Sequence, residues 1–177
     1  MLTIPNAITL ARLCAVPLAV WLMLQHRFQA AFWLFVAAGV SDAIDGLLAR
    51  RLGTQSALGA TLDPVADKAL LVSVYVTLGM MGELPDWLVI LVVFRDLMIV
   101  GGVLILYVLG APPVMAPLYV SKLNTAAQIV LAALALGLRG FAVQWPLLLD
   151  VAIVVVAATT FVSGAAYMRR WVRDAAG

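Results

Sequence analysis

The sequence predicts an all-α integral membrane protein with six transmembrane helices. Of its 177 residues, 65% are hydrophobic and only 11% are charged. A soluble domain has about 45–50% apolar and about 25% charged residues. A chain this apolar cannot present a polar surface to water, so lipid is its predicted solvent. The net charge of +2 is too small to suggest a nucleic-acid partner.

Six apolar stretches are long enough to cross a bilayer core about 30 Å thick, which takes about 20 helical residues. We predict spans at 8–24, 28–50, 61–81, 86–109, 118–137 and 146–168. Their unbroken apolar character is typical of helices rather than of the alternating strands of a barrel. Before the first span, residues 3–12 separate apolar from polar side chains, which predicts a short interfacial helix. Without a repeat or a linker, residues 1–177 are expected to form a single domain.

The basic residues predict the orientation in the membrane. With the N-terminus inside, the basic residues of the inner side are Arg12, Arg50, Arg51, Lys122, Arg169, Arg170 and Arg173. The outer side receives only Arg27 and Arg139. Because basic residues concentrate on the cytoplasmic side of membrane proteins, both termini and the 51–59 loop are predicted to be cytoplasmic.

Four aspartates lie inside apolar helices or at their ends: Asp42, Asp45, Asp63 and Asp67. An ionised aspartate at the centre of a membrane helix costs about 2.5–3.5 kcal/mol, so four of them need a positive partner. Each pair is spaced to share one face of its helix. A short loop joins the two helices, which predicts antiparallel neighbours with both pairs at the same depth. Carboxylates without sulfur or imidazole nearby suit Mg²⁺ or Mn²⁺.

Small residues and phosphate-binding groups accompany the aspartates. Gly46, Ala49 and Gly59 leave space for close approach of helices and a ligand. Arg50 and Ser56 offer a guanidinium and a hydroxyl that suit phosphate oxygens. The whole pattern is D-x-x-D-G-x-x-A-R-x(8)-G-x-x-x-D-x-x-x-D, over residues 42–67.

This pattern resembles the signature of the CDP-alcohol phosphatidyltransferase family at all eight of its fixed positions. The resemblance implies a six-helix homodimer whose active site opens to the cytoplasmic half of a bacterial inner membrane. It implies that Asp42, Asp45, Asp63 and Asp67 hold two metal ions and that Asp67 is also the catalytic base. The predicted residues for binding CDP-diacylglycerol are Asn6, Gly46, Ala49, Arg50, Ser56 and Gly59.

Three further segments are compared for the choice of acceptor. The start of the chain, residues 4–12, resembles phosphatidylglycerophosphate synthases and CMP-forming cardiolipin synthases alike. Arg95–Asp96 and the segment 121–128 are more similar to the cardiolipin synthases. We therefore predict transfer to phosphatidylglycerol with release of CMP, with glycerol 3-phosphate as the alternative acceptor. Arg95, Lys122 and Asn124 are the candidates for binding the acceptor phosphate.

Each acceptor candidate also has a structural interpretation. Arg95 and Asp96 can form an internally neutralised pair that holds the fourth helix to a neighbour. Lys122 can anchor its helix at the interface, and Asn124 can form a hydrogen bond between helices. Intramembrane acids also mark ion pathways, so a divalent-cation transporter is an alternative of another class. The phosphate-binding groups beside the aspartates favour the enzyme.

Overall fold

The computed structural model describes the backbone of residues 4–52, 57–108 and 119–176, and the side chains of residues 13–41, 68–102 and 119–170. It contains six α-helices: α1 (Ile4–Leu24), α2 (Phe28–Leu52), α3 (Ala57–Met80), α4 (Asp86–Val108), α5 (Tyr119–Gly140) and α6 (Pro146–Ala176). These ranges contain no strand. The predicted all-α class is therefore confirmed. Within the described part, Tyr119–Gly140 and Pro146–Arg170 are long and apolar enough to cross a membrane.

The helix bounds agree with the predicted spans to within two residues at α2 and α4 and differ more at the other helices. α3 begins at Ala57, four residues before the predicted start at 61. The interfacial segment and the first span form one continuous helix, α1, which contains Pro17. α5 continues to Gly140, beyond the predicted end at 137, and α6 continues to Ala176, beyond the predicted end at 168. The predicted gap between them is therefore shorter, since residues 138–140 are helical. Arginine is a good helix former. Arg139 therefore continues α5, and Arg169 and Arg170 continue α6, beyond the point where the apolar residues end.

The chain divides into two compact units. Unit 1 comprises Met1–Glu83 and Ala132–Gln144, and unit 2 comprises Leu84–Leu131 and Trp145–Gly177. In unit 1, α1 packs against both α2 and α3. Its described core includes Met23 of α1 and Val74, Tyr75 and Leu78 of α3, all fully buried. The α3 residues recur at the spacing of one helical face, so one side of α3 carries the packing surface.

The end of α5 lies against the start of α2 within unit 1, which explains why α5 extends past its predicted end. The Nε atom of Arg139 lies 2.9 Å from Oε1 of Glu83, and its guanidinium lies 5.8 Å from the ring centroid of Phe28. A Cβ atom at Gly140 would lie 2.7 Å from the backbone nitrogen of Gln29 and 2.8 Å from its Cα atom. Only glycine permits this approach.

We expect Gly140→Ala to destabilise unit 1, because the added methyl group meets backbone that cannot move away as a side chain can. The expected loss is about 1–3 kcal/mol, as for other overpacked sites. Thermal unfolding in detergent measures it. Gly39→Ala on α2 is the matched control, since nothing lies within 4 Å of its added Cβ atom. Equal unfolding temperatures for the two variants would contradict the close approach.

In unit 2, α4 packs against α6. Its interior contains apolar side chains such as Leu88, Val92 and Val156. It also buries a group of polar side chains: Arg95, Asp96, Asn124, Gln128, Thr160 and Ser163. Large apolar side chains on the outer face of α4, including Ile90 and Leu97, are more than 60% exposed. A polar interior with an apolar exterior is the arrangement expected of helices in lipid.

Candidate active site

The four predicted metal ligands lie on two helices of unit 1. α2 carries Asp42 and Asp45, and α3 carries Asp63 and Asp67. At 1.5 Å per residue, the members of each pair are separated by about 4.5 and 6 Å along their helix axes. Their side chains lie outside the described residues, so the convergence of the two pairs stays a prediction. The backbone does place all four on helices that pack against α1.

The chemistry of the predicted ligand set fits a hard divalent cation. Its four donors are carboxylates, the oxygen ligands that Mg²⁺ and Mn²⁺ favour. The chain's single cysteine, Cys14, is an exposed residue of α1, and its single histidine, His26, follows that helix with a positive φ of 56°. Among the side chains that the structure describes, no group of three or more His, Cys, Asp or Glu could hold a metal ion.

The residues predicted to bind CDP-diacylglycerol also fall outside the described side chains. Asn6 lies in the first turns of α1, Gly46, Ala49 and Arg50 lie near the end of α2, and Gly59 lies near the start of α3. Ser56 lies outside the described backbone. Their contacts with a donor therefore stay predictions. Their helices belong to the same unit as those of the aspartates.

The best-described polar site surrounds Arg95 in unit 2. Its Nη1 atom donates to Oδ1 of Asp96 at 2.7 Å, and Nη2 donates to Oγ of Ser121 at 2.7 Å and to Oγ of Ser163. The guanidinium also lies 5.9 Å from the ring centroid of Tyr167. We call these five residues the Arg95 cluster. It joins α4, α5 and α6 through one side chain.

The Arg95–Asp96 pair neutralises its own charges in the protein interior. The two side chains are only 4% and 6% exposed. Adjacent residues of a helix do not normally face each other, so the long arginine side chain turns back toward its neighbour. The Nε atom of Arg95 is also buried and has no hydrogen-bond partner. The cluster therefore contains the predicted internal ion pair. It also contains a buried N–H group that could donate a hydrogen bond to an anionic oxygen.

Asn124 lies on the same face of α5 as Ser121 and is fully buried. Its Oδ1 atom accepts hydrogen bonds from Oγ1 of Thr160 at 2.8 Å and Oγ1 of Thr159 at 3.0 Å. Its Nδ2 atom has no hydrogen-bond partner. The side chain thus joins α5 to α6, as the structural interpretation of Asn124 expects.

Lys122 does not belong to this group. Its side chain is exposed, and its Nζ atom lies 5.9 Å from the ring centroid of Tyr119, which is 82% exposed. The structure therefore brings Arg95 together with the face of α5 that carries Ser121 and Asn124, and it directs Lys122 elsewhere. Binding of an acceptor phosphate by Lys122 stays a prediction.

Sequence reasoning missed the contribution of α6. Thr160, Ser163 and Tyr167 are all buried and contact Asn124 or Arg95. Their spacing places them on one face of a helix that is otherwise largely apolar. A stripe of hydroxyl groups along one side of an apolar helix was the signal that could have identified them.

Comparison with known proteins decides the family. The profile of the CDP-alcohol phosphatidyltransferases matches residues 2–166. The chain belongs to the CDP-alcohol phosphatidyltransferase family. The resemblance seen in the sequence is thereby confirmed, and family membership favours a transferase over a cation transporter.

The relatives of this chain do not all carry the same name. It is 35% identical over 153 residues to a protein of Rattus norvegicus named cardiolipin synthase (CMP-forming), a match that covers 76% of this chain and 50% of the relative. The protein of the same name from Streptomyces coelicolor is 42% identical over 119 residues, covering 64% and 55%. A Mycobacterium tuberculosis protein named probable phosphatidylglycerophosphate synthase is 36% identical over 180 residues, covering 97% and 83%. The chain spans about half the length of the first relatives it matches.

Proposed function

We propose that this phosphatidyltransferase is a CMP-forming cardiolipin synthase. In this reaction the hydroxyl of phosphatidylglycerol attacks CDP-diacylglycerol at the phosphorus that carries the diacylglycerol. The new phosphodiester yields cardiolipin, and CMP leaves. The observation that carries the proposal is the similarity to relatives with this name in mammals and bacteria.

The Arg95 cluster supports a lipid acceptor through its charge. Glycerol 3-phosphate is a small dianion that arrives from water, so its site needs several free cations. Phosphatidylglycerol carries a single negative charge and arrives from within the membrane. The charge of Arg95 is already balanced by Asp96 at 2.7 Å, and Lys122 points away from the cluster. A nearly neutral acceptor site with a buried N–H donor suits the monoanionic lipid better.

The donor site is proposed at the aspartate-bearing helices of unit 1. Asp42, Asp45, Asp63 and Asp67 would hold two Mg²⁺ or Mn²⁺ ions, which when bound supply positive charge to the pyrophosphate and the departing CMP. Arg50 and Ser56 would bind phosphate oxygens, and Gly46, Ala49 and Gly59 would leave room for the nucleotide. Asp67 would accept the proton of the attacking hydroxyl. Asn6 would complete the donor site from α1.

We further propose that all six helices span a bacterial inner membrane, with both termini and the active site on the cytoplasmic side. The unequal distribution of basic residues supports this orientation. We also propose that the enzyme is a homodimer, as the family resemblance implies. The exposed apolar side chains of α4 and α6 are suited to contact with lipid or a second copy.

A second candidate is phosphatidylglycerophosphate synthase, with glycerol 3-phosphate as acceptor. One observation favours it: the Mycobacterium tuberculosis relative with that name matches 97% of the chain and 83% of its own length. The matches to the mammalian cardiolipin synthases cover half of those proteins. The two candidates share donor, metal and leaving group and differ only in the acceptor.

Product analysis decides between them. We expect purified protein, with labelled CDP-diacylglycerol in mixed micelles and Mg²⁺, to form cardiolipin when phosphatidylglycerol is the acceptor and to release one CMP per product. Glycerol 3-phosphate alone should yield at least tenfold less product, since a dianion would meet too few free cations at the Arg95 cluster. Phosphatidylglycerophosphate formed from glycerol 3-phosphate, with no cardiolipin from phosphatidylglycerol, would establish the second candidate instead.

A further inference from the structure

The guanidinium of Arg95 has two contacts with α6. Ser163 accepts a hydrogen bond from Nη2 of Arg95, and the ring of Tyr167, one turn later, lies 5.9 Å from the guanidinium. Gly164 lies between them. A Cβ atom there would already be 3.7 Å from Cγ of Arg95 and 3.6 Å from Cε of Met98. This face of α6 thus contacts both the aliphatic part and the charged end of the arginine.

These contacts hold the guanidinium in one plane and leave its Nε donor without an acceptor. A guanidinium is a planar group whose N–H donors have fixed directions. Asp96 binds Nη1, while Ser121 and Ser163 both bind Nη2, so the plane of the group is determined from three helices. Nε remains buried without a hydrogen-bond partner. A buried N–H donor without an acceptor is costly, and a bound anionic oxygen would remove that cost.

We infer that Ser163 and Tyr167 are positioning residues for the acceptor phosphate. They hold the guanidinium of Arg95 in the plane that directs its Nε atom toward a phosphate oxygen, without contacting the acceptor themselves. This inference rests on the proposed role of Arg95 in binding the acceptor. According to this inference, α6 contributes to the affinity for the acceptor. In a purely structural role, Ser163 would only join α6 to α4.

The test uses Ser163→Ala and Tyr167→Leu in the full-length protein. Initial rates are measured in mixed micelles with the acceptor that the wild type uses, varying acceptor and donor in turn. For Ser163→Ala we expect the KM for the acceptor to rise about tenfold, the loss typical of a hydrogen bond to a charged group. For Tyr167→Leu we expect a rise of about threefold, as for a lost cation–π contact. The kcat and the KM for CDP-diacylglycerol should change less than twofold.

Two further variants make the result interpretable. Thr77→Ala removes a buried hydroxyl in unit 1, which donates to the carbonyl of Ser73 at 2.7 Å, and should keep the wild-type KM for the acceptor. Ser163→Thr retains a hydroxyl and should restore much of the lost affinity. If Ser163→Ala does not fold, Tyr167→Leu alone carries the same test of the acceptor KM.

Each possible outcome has a distinct meaning. An unchanged acceptor KM in Ser163→Ala and Tyr167→Leu, with a raised KM in Arg95→Lys, would overturn the positioning role while the proposed function stands. A loss of thermal stability in Ser163→Ala with an unchanged acceptor KM would also overturn it. An unchanged KM in Arg95→Lys would remove Arg95 from the acceptor site and the positioning role with it. If the wild type uses glycerol 3-phosphate, a raised KM for that acceptor in Ser163→Ala and Tyr167→Leu would support the positioning role. It would overturn only the choice of acceptor.

Discussion

The Asp67→Asn variant is expected to lose transfer activity by at least about 10²-fold, the contribution typical of a general base. Asparagine keeps the shape and one oxygen of the side chain, but it cannot accept the proton of the attacking hydroxyl. Binding of CDP-diacylglycerol should remain, because only one predicted metal ligand is weakened. The two measurements are CMP release and equilibrium binding of labelled CDP-diacylglycerol to the purified variant.

Asp150→Asn is the matched control for this substitution. Asp150 is an exposed residue of α6 in unit 2, outside the proposed site, so the same chemical change there should leave the rate unaltered. Asp42→Asn and Asp63→Asn should weaken donor binding as well as turnover. EDTA should stop the wild-type reaction, and Mg²⁺ or Mn²⁺ should restore it. Wild-type turnover by Asp67→Asn would remove Asp67 from the mechanism, and indifference to EDTA would remove the metal ions.

The apolar stretches predicted the helices well because a backbone surrounded by lipid must form its own hydrogen bonds, as a helix does. The predicted starts of α2, α4 and α6 agree with the structure at residues 28, 86 and 146. The ends of α5 and α6 were predicted too early, since those predictions stopped where the apolar residues stopped. The contacts of Arg139 with Glu83 and Phe28 were the missing information, because they hold the last turn of α5 against residues far away in sequence.

The candidate site was predictable to the extent that its residues are close in sequence. The aspartate pattern falls within 26 positions, residues 42–67, so spacing alone places each pair on one helix face. The partners of Arg95 are different in kind. Ser163 lies 68 residues away from it, and only the packing of α6 against α4 brings the two together. No local pattern around Arg95 indicates that contact.

A double-mutant cycle made of Arg95→Met, Asp96→Leu and the double variant should show the largest stability effect in unit 2. Arg95→Met leaves the buried carboxylate of Asp96 without the guanidinium that lies 2.7 Å away, with the two side chains only 4% and 6% exposed. Removing one member of a buried ion pair typically costs about 3–5 kcal/mol. Removing both with Arg95→Met/Asp96→Leu eliminates both charges of the pair, and such replacements are often neutral or stabilising. The unfolding temperature in detergent should therefore be much lower for Arg95→Met than for the wild type. It should return toward the wild-type value in the double variant.

The cycle also separates the two interpretations of Arg95, because stability and acceptor binding respond differently. If Arg95 only joins α4 to its neighbours, the double variant should regain turnover along with stability. Since we propose that Nε of Arg95 binds the acceptor phosphate, we expect the double variant to be stable while its acceptor KM rises at least tenfold, as for a lost charged hydrogen bond. Phe94→Leu, an exposed neighbour on α4, is the control and should keep both properties. A stable, fully active double variant would reduce Arg95 to a structural residue, and an unaltered unfolding temperature of Arg95→Met would contradict the buried pair itself.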